Sequence, residues 1–149
     1  MQRTGIFVGS FDPFTIGHDS IVRRVLPLFD HLVIGVGVNQ SKHYMQSAEE
    51  RVASIRSLYD DEERISVEQY SCLTVDFAQQ CGASYIVKGV RSVKDFEFER
   101  EQADINRRLT GIETLLLFAL PGMDSVSSSV VRELTHFGKD CSQFLPHKQ

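Results

Sequence analysis

The chain has 149 residues, 42% of them hydrophobic and 24% charged, with a formal net charge of −4. That length supports one core burying about two-thirds of the unfolded surface without disulfide or metal staples. The acidic balance argues against a general nucleic-acid binder, whose surface must neutralise phosphates, and no apolar run approaches the roughly 20 residues that cross a bilayer.

In chain order, Met1-Gln2-Arg3 leads at once into a strand-like run, Thr4 to Val8, with no room for a secretory leader, so a cytoplasmic protein is expected. A helix is predicted from about His18 to Phe29, with Ile21, Val22, Val25 and Leu28 as its buried stripe and Pro27 weakening its end. Leu32 to Val38 is the second strand. Ser47-Ala48-Glu49-Glu50 is a capping-box pattern that opens a second helix, which presents Val52, Ile55 and Leu58 to the core. Ile65 to Glu68 is the third strand, and a third helix follows Thr74 and stops before Gly82. Ser84 to Val87, a helix from Val93 to Leu109 with Gly111 beyond it, Thr114 to Leu120, and a helix after Ser127-Ser128-Ser129 complete the series.

Strand and helix thus alternate five times without linker or repeat. Residues 1–149 read as a single α/β domain: a Rossmann-like open sheet of five parallel strands with helices on both faces. Ligands of such sheets sit at the carboxyl ends of the strands, where the winding direction reverses. The three cysteines, Cys72, Cys81 and Cys141, form no C-x-x-C pair and read as structural thiols.

Four loops at strand ends carry phosphate-compatible groups. In GSFDPFTIGH, Gly9 permits a turn, Ser10 offers a hydroxyl and an amide, Gly17 allows close approach, and His18 lies at a helix start beside the free amides and positive dipole end. A plain connecting loop turned by Asp12-Pro13 explains that stretch equally well by itself. Lys42 follows the second strand, where a merely solvated lysine is the alternative. Lys88-Gly89-Val90-Arg91 follows the fourth, and Arg91 is suited to a bidentate phosphate contact; Asp95, Glu97 and Glu99 beyond it also read as acids that stabilise a helix N-terminus. Ser127, Ser128 and Ser129 open the last helix, as simple caps or as a phosphate site. Four separate loops with the same chemistry point together to a polyphosphate site.

Taken together, GSFDPFTIGH, Lys42, EERV at Glu49 to Val52, KGVRSVKDFEFE at Lys88 to Glu99, Asn106-Arg107 and VSSSVVRE at Val126 to Glu133 resemble bacterial phosphopantetheine adenylyltransferase, of the nucleotidyltransferase superfamily with the H-x-G-H signature. The resemblance spans nearly the whole chain. It implies transfer of the adenylyl group of ATP to 4′-phosphopantetheine, giving dephospho-coenzyme A and pyrophosphate, the penultimate step of coenzyme A synthesis, with Mg²⁺ assisting. It further implies that His18 is catalytic and that Ser10, Phe11, His18, Gly89, Val90, Arg91 and Glu99, with Met123, Asp124, Ser125, Val126, Ser127, Ser128 and Ser129, meet ATP. Ser10, Lys42, Thr74 and Lys88 fall at positions that meet 4′-phosphopantetheine. A homohexamer is implied, with no nucleic-acid or membrane partner, and inhibition by coenzyme A is plausible for a site that fits it.

The chain departs from the family pattern at Ser10, usually Thr; at Lys88, usually Arg; at Phe98, commonly Tyr; in a shorter Pro121–Ser127 loop; and in a reduced end after Phe144-Leu145-Pro146. Thr15 takes the first histidine position of the signature, as is usual in this family.

The attacking phosphate oxygen is already ionised at neutral pH, so no strong base is required, and none is evident. Direct in-line attack is expected, with His18 donating to the α-phosphate, Lys42 orienting the incoming phosphate, and Arg91 and the serines holding the β- and γ-phosphates. Mg²⁺ is expected to ride on substrate phosphates rather than in a protein cage. Rival readings are adenylyl transfer to nicotinamide mononucleotide or a polyol phosphate, and a non-catalytic ATP-binding module.

Overall fold

Successive strand residues face opposite ways, so a strand apolar at every position needs cover on both sides. The computed structural model, which describes residues 2–148, has that arrangement. Its elements are β1 (Thr4–Gly9), α1 (Ile16–Val25), β2 (His31–Gly37), α2 (Ala48–Leu58), β3 (Ile65–Tyr70), α3 (Thr74–Gln80), β4 (Tyr85–Val90), α4 (Val93–Thr110), β5 (Glu113–Phe118) and α5 (Ser128–His136), with short 3₁₀ turns at Leu26–Leu28 and Ser142–Phe144. Phe7, Leu32, Ile34, Val36 and Val87 pack with Ile21, Val22 and Val25 of α1 and Val52 and Ile55 of α2. Their strand neighbours Ile6, Val8, Val33 and Ile86 join Val75, Phe77 and Ala78 of α3 in a second layer on the opposite face. Gly35 makes the second layer possible, because a Cβ there would lie 2.6 Å from the Phe77 ring.

All neighbouring strands are parallel, in the order β3-β2-β1-β4-β5, as the alternation predicts. The winding reverses between β1 and β4. There β1 pairs with β2 as far as Gly9↔Val36 but with β4 only to Phe7↔Val87, although β4 runs on beside β5 to Val90↔Phe118. The two central strands therefore part at their carboxyl ends, and the loops that follow them face a shared opening.

Several boundaries differ from expectation. The first helix starts at Ile16, two residues early, and gives way after Val25 to a 3₁₀ turn around Pro27, which leaves Leu28 half exposed instead of in the buried stripe. Ser47 caps α2 by accepting from the Glu50 amide at 3.1 Å, but no reciprocal Glu50 bond closes the expected box. Gly9 does not supply the turn after β1; that falls to Phe11, at φ 51°, while a Cβ on Gly9 would meet the Phe11 ring at 2.9 Å. The thiols are unpaired, with Cys141 buried and Cys72 exposed. Among the described residues, no helix is long and apolar enough to cross a membrane.

Candidate active site

The histidine that opens α1 is held by its own helix cap. Thr15 is the N-cap and His18 the third helical residue; the Thr15 hydroxyl accepts from the His18 amide, and the Thr15 amide donates to His18 Nδ1 at 2.9 Å. This is the capping box that sequence reading placed at α2, with an imidazole in the position normally taken by Glu or Gln. A backbone N–H can only donate, so Nδ1 is an acceptor and Nε2 carries the proton. The ring packs among Phe7, Phe11 and Phe14, with centroids 6.3, 4.9 and 5.2 Å away. That burial, with Arg91 nearby, lowers its pKa from 6.5 to about 4. At neutral pH His18 is therefore an uncharged donor with a defined tautomer. The sign for stability follows: as pH falls below 6.5 the unfolded chain takes up this proton first, so stability is lost between about pH 6.5 and about 4.

His18 lines a cavity of about 360 Å³ at the β1/β4 opening. Ser10 comes to it from the first loop and Gly17 from the start of α1; Lys88, Gly89, Val90, Arg91 and Glu99 from the β4 end and α4; Met123, Val126, Ser127, Ser128 and Ser129 from the last loop and α5; and Lys42 from the β2 loop. Phe11 also lines it, chiefly as the ring that packs on His18. Lys42 Nζ lies 3.4 Å from Ser10 Oγ, which joins the first two loops directly. A second groove shares Ser10, Lys42 and Lys88 with this cavity and runs on past Tyr70 and Leu73 to Thr74, the first residue of α3. Two predicted residues stand apart: Asp124 faces a shallow depression with Ser92 and Phe96, and Ser125 lines neither the cavity nor the groove. The Pro121–Ser127 loop turns them away while bringing Met123 and Val126 inward.

The cations are not loose. Lys88 lies 3.4 Å from Glu99, which has a buried Oε2 without a hydrogen-bond partner, so the two share charge without hydrogen-bond geometry. Arg91 pairs with Asp95 at 3.6 Å, and Asp95 also accepts the Arg91 amide. At α5, Ser127 caps by accepting from the Val130 amide, and Ser128 donates its hydroxyl to the Pro13 carbonyl at 2.7 Å. The serine hydroxyls are thus largely occupied. What α5 offers an anion is the first-turn amides of Ser128 and Ser129, which have no acceptor within the helix.

Sequence reading missed Arg132, which lines the cavity and donates to the Asp12 carbonyl at 2.8 Å; its signal was its place in VSSSVVRE. Among the described residues no group of three or more His, Cys, Asp or Glu side chains is disposed to hold a metal ion, and Glu99 is the one carboxylate that lines the cavity.

Comparison with known proteins identifies the family. The cytidylyltransferase-like family model matches residues 6–134. Phosphopantetheine adenylyltransferase of Bacteroides fragilis is 56% identical over 145 residues, 97% of each chain. The chain belongs to the phosphopantetheine adenylyltransferase family. Its relatives of that name include one from Porphyromonas gingivalis, 49% identical over 97% of this chain and 95% of that one, and one from Flavobacterium psychrophilum, 44% identical over 97% and 96%. A solved Vibrio parahaemolyticus protein named as a candidate nicotinate-nucleotide adenylyltransferase covers 99% of this chain and 95% of its own, with TM-score 0.67 and 18% identity, a likeness of fold. A nucleotidyltransferase of this family therefore carries the His18 cavity and its adjoining groove.

Proposed function

We propose that the cavity holds ATP and the adjoining groove holds 4′-phosphopantetheine, so that the protein transfers the adenylyl group to give dephospho-coenzyme A and pyrophosphate. The observation that carries this reading is the junction: Ser10, Lys42 and Lys88 belong to both spaces, so an acceptor phosphate there is next to the α-phosphate of a nucleotide lying against His18. An oxygen of the acceptor phosphate attacks the α-phosphorus as its bond to the bridging oxygen breaks, and pyrophosphate leaves. The neutral His18 Nε2–H donates to the α-phosphate oxygen that gains charge, and, being held by Thr15, it does so without reorganisation. Arg91, Arg132 and the first-turn amides of α5 fit the departing phosphates. The groove toward Leu73 and Thr74 suits an extended acceptor arm.

Mg²⁺ fits this pocket as an ion carried by the substrate phosphates, since among the described residues Glu99, the one carboxylate lining the cavity, has its Oε2 paired by charge with Lys88 and there is no carboxylate cage to hold the ion. When bound, it neutralises phosphate charge.

The homohexamer implied by resemblance is supported by α4, an 18-residue helix with no buried residue, and by Val93, Phe98, Ile105, Leu109 and Phe118, each more than half exposed. Such an apolar surface fits copies of the same chain. Light scattering should give a mass near six times 16.9 kDa, and a monomer would contradict it. The location proposed is cytoplasmic.

ATP labelled at the α-phosphate tests the reaction. Label should pass to 4′-phosphopantetheine, far faster than to nicotinamide mononucleotide or a polyol phosphate, and none should stay on the protein when acceptor is omitted. Preference for a rival acceptor would overturn the substrate, and stable protein label would overturn direct attack.

A further inference from the structure

The EERV stretch contains the least expected buried group in the molecule. Arg51, one turn into α2, is 1% exposed. Its Nη1 donates to the carbonyls of Ser10 at 2.7 Å and Gly37 at 3.1 Å, and its Nε is shared between those of Gln46 at 3.2 Å and Ser47 at 3.3 Å. The Tyr44 ring covers the guanidinium, with 4.0 Å from Cζ to the ring centroid. A charge that cannot be discharged is thus compensated by carbonyl dipoles and an aromatic face.

These partners have one thing in common. Gly37 ends β2, and Tyr44, Gln46 and Ser47 belong to the segment between β2 and α2 that carries Lys42. Ser10 belongs to the loop after β1, and it is this residue's hydroxyl that Lys42 reaches at 3.4 Å. Asp12, 2% exposed, ties the same two loops from the other side, accepting from the Met45 amide at 2.7 Å and the Gln46 amide at 2.9 Å. Tyr44 in turn accepts from the Asn39 amide at 2.9 Å, closing the loop on itself.

We propose that Arg51 is a positioning residue for the acceptor phosphate, clamping the Lys42 loop to the Ser10 loop. This rests on the placement of Lys42 and Ser10 at the acceptor phosphate made above. Only a planar fork reaches two strand ends with one nitrogen and the intervening loop with another; lysine keeps the charge but offers a point contact. Losing the fork frees Lys42 to move by an ångström or more, and reactions of positioned groups are sensitive on that scale.

The test measures Arg51→Met, which keeps an unbranched stem and loses the fork, together with Arg51→Lys. The expected result for Arg51→Met is an acceptor KM raised about tenfold while the ATP KM stays within about twofold, with Arg51→Lys in between. Amide exchange should speed up across residues 38–47, Met45 and Gln46 included, while the strand core stays protected. Equal changes in both KM values with exchange rising throughout the sheet would mean a merely structural arginine, and unchanged constants would mean no role; either overturns the proposal. Should neither variant fold, Tyr44→Leu, at a half-buried position outside the core, must show the same split at smaller amplitude, and its absence counts against the clamp. A rise in acceptor KM in Lys42→Ala but not in Arg51→Met would refute the clamp and leave the acceptor site standing. No rise in either would remove the acceptor site itself.

Discussion

Replacing His18 with alanine is expected to lower kcat by roughly 100-fold or more while changing the KM for each substrate little. The reasoning starts from the cap. The Thr15 amide fixes Nδ1 as an acceptor, so the one proton on the ring sits at Nε2. Burial among three phenylalanines, with Arg91 nearby, keeps the ring neutral at working pH. A neutral donor gains little from a ground-state phosphate that other cations already hold, and gains most when charge grows on the α-phosphate in the transition state. The first-turn amides of α1 remain in the variant, so catalysis is weakened rather than abolished. Steady-state kinetics with both substrates varied checks this, and a variant with near-normal turnover refutes the donor role.

Lys42→Ala is expected to act on the other side of the reaction, raising the acceptor KM roughly tenfold with the ATP KM little changed. A hydrogen bond to a charged group contributes about 1.5–3 kcal/mol, and solvent exposure of Lys42 places the effect at the low end. Lys42→Arg should recover part of the loss, since charge returns with a different reach. An unchanged acceptor KM, or an equal rise for ATP, would move Lys42 out of the acceptor site. The two variants thus separate the halves of the pocket, one through kcat and one through a single KM.

The order of elements was legible because β1, β2 and β4 are apolar on consecutive positions, which only a sheet covered on both faces accommodates. The convergence of four loops was legible for a related reason, since each follows a parallel strand and must emerge on the same edge. Geometry within the loops was not. Phe11 takes a left-handed backbone that sequence assigns by default to glycine, and Gly9 is small because the Phe11 ring lies against it. His18 at the third helical position was not seen as a cap, because the familiar capping side chains are Glu and Gln. Arg51 looks like any exposed helix cation, and nothing local reveals that the carbonyls of Ser10 and Gly37, 41 and 14 residues away along the chain, meet its guanidinium. The turn that takes Asp124 and Ser125 away from the cavity depends on the backbone path of the Pro121–Ser127 loop, where Gly122 takes a φ of 85° and the Met123 and Val126 amides donate to the Leu120 and Met123 carbonyls, which pattern alone does not encode.

Imidazole nitrogen NMR at His18, followed from pH 8 down to pH 3.5, bears most directly on the central claim that a neutral ring with its proton at Nε2 faces the nucleotide. The expected spectrum has an unprotonated Nδ1 and a protonated Nε2 from pH 8 to below pH 5, with charging near 4 in the free protein and at higher pH once a triphosphate is bound, because an anion stabilises the charged ring. A ring that titrates near 6.5, or one that carries its proton on Nδ1 at neutral pH, would contradict it.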